Sequence, residues 1–139
     1  MKRKLLIFLS LVWLGFACGD NLKKENEVLK NEVIAIHDEV MPLMGELKNY
    51  QKQVEKKINQ ADSLGIPAEE LARLRTVAGE LGDAFEGMFV WMRQFKSSYD
   101  EMTEQQIHDY LQEQKVLVEK VNDDIKNALE SYKANNGMQ

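Results

Sequence analysis

Residues 71–95 of the chain read LARLRTVAGELGDAFEGMFVWMRQF, and the fold class follows first from this stretch. Its apolar residues recur at alternating steps of three and four, a spacing that places them along one side of an α-helix. Helices with such a stripe pack against one another along a common seam. The residues predicted for this seam are Leu71, Leu74, Ala78, Leu81, Phe85, Met88, Met92 and Phe95.

Two other segments of the chain have the same spacing. In the segment before it, the predicted seam consists of Leu29, Val33, Ile36, Val40, Leu43, Leu47, Tyr50, Val54, Ile58 and Ala61. In the segment after it, the predicted seam consists of Ile107, Leu111, Gln114, Val118, Val121, Ile125, Ala128 and Tyr132. Only the glutamine departs from the apolar pattern, and no alternating strand pattern competes with it. The sequence therefore predicts an all-α protein with three long helices.

Turn and capping residues separate the three predicted helices. Residues 62–67 form a tight connection, and Pro67 suits the first turn of the helix that follows. Residues 96–102 form a second, polar connection, after which Thr103 and Gln106 have the pattern of a capping box. Because short connections place consecutive helices antiparallel, we predict an antiparallel up-down-up three-helix bundle.

The first predicted helix is longer than the other two and contains a proline. Pro42 removes the hydrogen bond to the carbonyl of Asp38, so we predict a kink at this point. The polar and charged residues 18–32 extend beyond the other helices and are predicted to form a lipidated N-terminus and stalk. Residues 33–139 are then the bundle domain.

The first residues of the chain differ from the rest. A basic start, Lys2 to Lys4, precedes an apolar run over residues 5–14, and Ala17 stands immediately before Cys18. This arrangement resembles the signal peptide of bacterial lipoproteins, with residues 1–17 as the signal and Cys18 as the lipidated residue. The alternative is an uncleaved membrane anchor, which the length of the apolar run disfavours because a spanning helix needs roughly 20 apolar residues.

The resemblance to lipoproteins implies cleavage before Cys18 and attachment of acyl chains to that residue. Several acyl chains on one residue anchor a protein stably, whereas a single chain does not. We therefore expect a protein of the cell envelope that is lipid-anchored to a bacterial membrane, with the outer membrane favoured, and that faces the periplasm or the cell surface. The lipid bilayer is its first expected partner.

Composition restricts the other partners and the chemistry. Without the three basic residues of the first segment, 15 basic residues remain against 23 acidic ones, a net charge of −8. Nucleic-acid-binding proteins carry a basic face instead, so we expect no nucleic acid partner. Cys18 is the only cysteine, and its lipidation leaves no thiol for a disulfide, a zinc site or a nucleophile.

One group of residues has the side chains of a soft-metal site. Methionine and histidine bind Cu(I) where thiolates are absent, and five such residues fall at one end of the predicted bundle. The candidate ligands are His37, Met41, Met44, Met88 and Met92. The alternative is ordinary packing, because methionine fills irregular gaps in cores. Cu(I) is thus a possible cofactor, and no other cofactor is predicted.

The end of the 71–95 helix is apolar on nearly every side. Phe89, Val90 and Trp91 lie off the predicted seam, and an exposed aromatic patch marks a partner or membrane contact. These three residues are the candidate interaction surface. The alternative is a broad core that leaves one aromatic side chain partly exposed.

Two stretches of the chain resemble a known family. IAIHDEVMPLMGEL, residues 34–47, and MFVWMRQFK, residues 88–96, are similar to segments of small Bacteroidota lipoproteins that are often labelled viral A-type inclusion protein. That family has no established activity. The resemblance therefore implies a helical lipoprotein and transfers no catalytic residue.

These observations favour a function in binding. The sequence has no paired carboxylates in an apolar cleft, no glycine-rich phosphate loop and no catalytic triad pattern. We therefore expect a membrane-tethered, non-enzymatic helical module that binds a protein partner or itself. The alternative is a periplasmic Cu(I)-binding protein that uses the methionine and histidine cluster.

Overall fold

A computed structural model of the chain describes residues 17–136, and these residues are helical apart from short connections. No strand occurs among them, so the predicted all-α class is confirmed. The elements are α1 (Ala17–Val40), a 3-10 turn (Met41–Leu43), α2 (Met44–Asn59), α3 (Ala61–Leu64), α4 (Ala68–Gln94) and α5 (Glu104–Asn136).

The predicted signal peptide, residues 1–17, lies outside the described residues except for Ala17, where α1 begins. Residues 137–139 are also outside them, and α5 is described to Asn136. Within the described part of the chain, none of the helices has both the length and the apolar character needed to cross a membrane.

The helices pack mainly in three pairs: α1 with α5, α2 with α4, and α4 with α5. In the contacts between α1 and α5, the residue numbers of both partners increase together, since Asn26 lies next to His108 and Glu32 lies next to Lys115. These two helices therefore run in the same direction. Against α4, α2 runs in the opposite direction, because Lys48 lies over Phe85 while Gln51 lies against Gly82.

The core follows the predicted periodicity closely in α1 and α2. A buried stripe with a spacing of seven residues runs through Val33, Val40, Leu47, Val54 and Ala61. The remaining predicted positions in these helices are buried or packed against the core. Local periodicity was sufficient here because each helix presents one apolar side to its neighbours.

In α4 the buried side is rotated relative to the prediction. Val77, Ala84 and Trp91 are buried, whereas Ala78, Phe85 and Met92 are only partly buried. The predicted members Leu74, Leu81 and Met88 are buried as expected. Because α4 packs against both α2 and α5, its buried arc is wide and extends to both sides of a single stripe.

Three polar side chains are buried among residues 20–135, and the sequence pattern predicted only one of them as a departure from the apolar seam. Gln114 was the recognised departure from the seam of α5 and is 6% exposed. Asn26 in α1 and Asn122 in α5 are 4% and 3% exposed. Buried polar groups require hydrogen-bond partners, and both asparagines find them between α1 and α5.

Pro42 lies in the 3-10 turn that separates α1 from α2. The turn closes with a hydrogen bond from the Met44 N–H to the Met41 carbonyl. This bond joins residues three positions apart, whereas a bond of an α-helix joins residues four positions apart. Beside this interruption, the side-chain amide of Asn122 donates to the Ile36 carbonyl at 2.9 Å. The same nitrogen donates to a carboxylate oxygen of Glu39 at 2.9 Å.

Each of the two connections between the long helices carries a cap, and the one at Thr103 was predicted. Gly65 ends α3 with a φ of 64°, and the Ile66 N–H bonds to the Ala61 carbonyl at 3.0 Å. This pattern is a Schellman motif, in which glycine adopts the left-handed conformation at no steric cost. At α5, the Thr103 N–H donates to Gln106 Oε1 at 2.9 Å and the Gln106 N–H donates back to Thr103 Oγ1. The predicted capping box is confirmed.

The predicted stalk, residues 18–32, is helical and belongs to α1. Its residues Asn26 and Leu29 are buried against the rest of the protein. This part of the segment therefore contributes to packing, and its role as a tether stays a prediction.

Candidate functional site

The predicted copper ligands do not form an open site in the described residues. Met44 and Met88 are buried, at 7% and 0% exposed. Met41 and Met92 pack against the same hydrophobic cluster and are partly buried. The structure thus brings the four methionines into one apolar cluster, where packing accounts for their burial.

His37, the fifth predicted ligand, has other neighbours. Its Nδ1 lies 2.8 Å from a carboxylate oxygen of Asp38. Its ring centroid lies 5.5 Å from that of Trp91, in a tilted arrangement. Among residues 17–136, no group of three or more histidine, cysteine, aspartate or glutamate side chains is arranged to hold a metal ion.

The predicted interaction surface on α4 needs a correction. Trp91 is 6% exposed and belongs to the core, so it is not part of any exposed surface. Phe89 is partly buried with its ring 5.0 Å from that of Phe85, and Val90 is 38% exposed. Consecutive helical residues point about 100° apart, so the three side chains cannot share one face. Which of them is exposed depends on the rotation of α4.

A row of aromatic side chains closes the core where α4 ends. The ring of Trp91 stacks on Phe95 at 5.0 Å, and Phe95 stacks on Tyr110 of α5 at 6.3 Å. Tyr110 lies 5.9 Å from Tyr99, which belongs to the connection between α4 and α5. The Tyr110 hydroxyl also accepts a bond from the Lys96 N–H at 2.6 Å. These contacts hold the connection against the start of α5.

A half-open pocket of about 200 Å³ lies between α1, this connection and the start of α5. Most of its lining surface is apolar, although five of its eight lining residues carry charged or amide side chains. The lining residues are Lys23, Asn26, Glu27, Lys30, Tyr99, Glu104, Ile107 and Leu111. A mainly apolar pocket with a small number of converging polar groups is the usual form of a ligand site, and we name it the α1–α5 pocket.

Asn26 joins the two helices at the floor of the α1–α5 pocket. Its side-chain amide nitrogen donates to the carbonyl of Glu104 at 2.8 Å and to the carboxylate of Glu104 at 2.9 Å. Its amide oxygen lies 3.0 Å from Nδ1 of His108. Since the oxygen can only accept, Nδ1 of His108 carries the hydrogen. The pocket floor is thus held by three bonds at one buried side chain.

Tyr99 also lines the α1–α5 pocket. Its hydroxyl is buried without a hydrogen-bond partner among the described residues. Burial raises the pKa of Tyr99, with a smaller contribution from Tyr110. The hydroxyl therefore stays protonated and is a hydrogen-bond donor. The ammonium of Lys30 lies 5.2 Å from the ring centroid of Tyr99 and donates to the Ser97 carbonyl at 3.3 Å.

A second groove, of about 380 Å³, lies on another side of the α1–α5 pair. Val28 lines it and is 58% exposed. Val116 lies one helical turn beyond Gln112, which also lines the groove, and is 66% exposed. An ion pair of 2.8 Å between Glu32 and Lys115 lies at the same level of the two helices. We name this surface the valine groove.

Asn26, Tyr99 and Glu104 were not among the site residues predicted from the sequence. For Asn26 a signal was available, because it lies seven residues before Val33 and so continues the spacing of the buried stripe. No local signal marks Tyr99, since its burial depends on how the connection folds onto α1.

Models of protein families, curated proteins and solved structures were all compared with the chain, and none matches it.

Proposed function

We propose that the chain is a lipoprotein of the bacterial cell envelope and acts as a membrane-tethered, non-enzymatic helical interaction module. The basic start, the apolar run and the residue before Cys18 support the lipid anchor. The similarity to small Bacteroidota lipoproteins supports the same location. α1 begins at the residue before Cys18, so the tether leads directly into the packed helices.

The proposal includes an up-down-up three-helix architecture in which α1 and α2 form one long helix that is kinked at Pro42. The parallel contacts of α1 with α5 support it, as do the antiparallel contacts of α2 with α4. A stacked pair of Tyr50 and Tyr132, at 3.9 Å, continues the parallel register from α1 into α2. In this arrangement the lipid anchor and the 95–103 connection lie at the same end.

The observation that carries the interaction function is the valine groove. Val28 and Val116 are among the most exposed large aliphatic side chains of the described residues; Val28 lines the groove, and Val116 lies one helical turn beyond its lining residue Gln112. Apolar side chains that are grouped at a groove and rimmed by charges are typical of a protein contact surface. We propose that a protein partner, or a second copy of the chain, covers this groove.

The test compares two double substitutions that add the same charge. Val28→Asp with Val116→Asp should abolish chemical crosslinking of the full-length protein to its partner in intact cells. The matched control is Leu64→Asp with Val90→Asp, which changes two other exposed aliphatic residues and should leave crosslinking intact. Circular dichroism of each purified variant checks that the helices are retained.

Three results of this comparison are informative. Loss of crosslinking only in the Val28 and Val116 variant supports the valine groove. Loss only in the control variant places the contact near Leu64 or Val90, and Val90 belongs to the interaction surface predicted from the sequence. Equal crosslinking in all proteins, or none in the unmodified chain, contradicts an interaction function at either surface.

A second proposal is Cu(I) binding by His37 and the four clustered methionines. It is supported by the packing of all four methionines in or against the same hydrophobic core and by the affinity of thioethers for Cu(I). The full-length protein is titrated anaerobically with Cu(I) against a colorimetric chelator. Stoichiometric binding that is lost in Met41→Leu with Met44→Leu supports a site. Competition that is absent, or unchanged in the leucine variant, leaves packing as the role of these residues.

A further inference from the structure

We propose that Tyr50 and Tyr132 form an oxidative modification site, at which a one-electron oxidant joins the two rings by a carbon–carbon bond. The rings are stacked, with centroids 3.9 Å apart and planes at 14° to each other. The bond links α2 covalently to α5. Neither tyrosine lines the valine groove, so this inference stands or fails independently of the partner surface proposed above.

The stacking of Tyr50 on Tyr132 is closer than that of an ordinary aromatic pair. Aromatic side chains usually pack with centroids about 4.5–7 Å apart and avoid a full face-to-face arrangement. In the described part of the chain, the other aromatic pairs have centroid distances of 5.0–6.3 Å. The faces of the two phenol rings therefore lie in van der Waals contact, with ring carbons of one over ring carbons of the other.

This contact is the geometry that the coupling of two tyrosines requires. The oxidant takes one electron from each ring, and each hydroxyl releases its proton to water, which leaves two phenoxyl radicals. The unpaired electron of each radical is shared with the carbons next to the C–O bond, in orbitals that point out of the ring plane. One such carbon of each ring forms the new bond, and its hydrogen then leaves as a proton while the oxygen is protonated again. In sum, the pair loses two electrons and two protons, and the oxidant gains the two electrons.

The position of the pair makes it accessible and gives the bond a structural effect. Both tyrosines are half-buried, so a small oxidant reaches them from solvent. The Tyr132 hydroxyl donates to Gln53 Oε1 at 3.0 Å, which holds this ring against α2. Because α2 and α5 are not one of the three main packing pairs, the bond joins two helices that the core itself connects only weakly.

The other two of the four tyrosines provide an internal comparison. The rings of Tyr99 and Tyr110 have centroids 5.9 Å apart and planes at 58°, so their faces do not overlap. Holding reactive atoms in contact and in the correct orientation accelerates a reaction by orders of magnitude. We therefore expect the link between Tyr50 and Tyr132 in at least about tenfold excess over a link between Tyr99 and Tyr110.

The experiment uses the full-length protein in detergent and light-activated ruthenium tris(bipyridine) with persulfate, which oxidises tyrosines one electron at a time. Dityrosine fluorescence follows the reaction. Peptide mass spectrometry should then find the peptides of Tyr50 and Tyr132 joined, with a mass lower by two hydrogen atoms than the two peptides together. Dilution of the protein should leave the yield of this link unchanged, because both tyrosines belong to one chain.

One variant and one control locate the modification. Tyr132→Phe keeps a stacked ring but cannot form a phenoxyl radical, so the link between α2 and α5 should be lost. The matched control is Tyr99→Phe, which removes a hydroxyl without a hydrogen-bond partner among the described residues and should form the link in the same yield as the unmodified protein. Circular dichroism checks that both variants retain their helices.

The link closes a loop over residues 50–132, and closing a long loop stabilises a fold mainly by restricting the unfolded chain. The linked protein should therefore unfold at a urea concentration roughly 1 M or more above that of the unlinked protein. The proposal is overturned if no link between Tyr50 and Tyr132 forms, if Tyr99 and Tyr110 are linked equally well, if dilution abolishes the link, or if linked and unlinked protein unfold at the same urea concentration.

Discussion

Asn122 should be one of the most sensitive polar positions of the protein. Its side chain is 3% exposed and connects α5 to the end of α1 through the Ile36 carbonyl and the Glu39 carboxylate. This connection lies beside the Pro42 turn, where the main-chain bonding of the helix is interrupted. Asn122→Ala removes the amide and leaves the carbonyl group without this donor.

The expected magnitude follows from the buried part of this network. Loss of a hydrogen-bond partner at a buried group costs about 1–3 kcal/mol. Alanine has a higher helix propensity than asparagine, which offsets about 0.5 kcal/mol. We therefore expect Asn122→Ala to lower the free energy of unfolding by about 0.5–2.5 kcal/mol. The exposed Glu39 carboxylate contributes nothing to this figure.

Urea denaturation of the full-length protein, followed by circular dichroism at neutral pH, measures this change. The matched control is Asn127→Ala, an exposed asparagine in the same helix. It should be neutral or slightly stabilising, because only the propensity changes. An Asn122→Ala protein that is as stable as the Asn127→Ala protein would refute the argument that the amide supports the interrupted helix.

Four further substitutions are tested by the same denaturation assay. Gly79→Ala should raise the free energy of unfolding by about 0.5–1 kcal/mol, since a Cβ there meets no atom within 4 Å. Gly82→Ala should gain less, because its Cβ would lie 2.9 Å from Nε2 of Gln51; an equal gain at both glycines contradicts this. Trp91→Ala should destabilise the protein by about 3–5 kcal/mol, as expected for a buried side chain. A change below about 1 kcal/mol would contradict the burial of Trp91. Hydrogen bonds from Lys126, and to a lesser extent from Asn122, lower the pKa of Glu39. The ionised Glu39 therefore stabilises the fold above the usual carboxylate pKa, and this stabilisation is lost as the pH falls through the lowered value. Glu39→Gln should reduce the loss of stability between about pH 6 and pH 3, and an unchanged loss in this variant would show that the bonds to Glu39 do not stabilise the fold.

The residues of α4 show how far periodicity alone reaches. Leu74, Leu81 and Met88 were predicted as core and are buried. Trp91 was placed on the surface because it lies one residue from the seam, yet it is buried beside His37. Spacing identifies the apolar side of a helix to within about one residue, or 100°. The exact rotation depends on the helices that lie on either side.

The α1–α5 pocket depends on the same long-range information. Lys30 and Tyr99 are separated by 69 positions in the sequence, and no spacing rule connects them. Their contact arises because α1 runs beside α5 and the 95–103 connection folds over both. Asn26 is similar, since its partners Glu104 and His108 belong to the other end of the chain.

The amino-acid sequence by itself determined the helical class, the interruption at Pro42 and the cap at Thr103. Each of these depends on residues within a few positions of one another, because helical hydrogen bonds and caps join neighbours in the chain. Only the tertiary structure decided that Trp91 is buried, that Asn122 supports the end of α1 and that Tyr99 faces a pocket. These features require the relative rotation and register of separate helices, which the packing of the whole core determines.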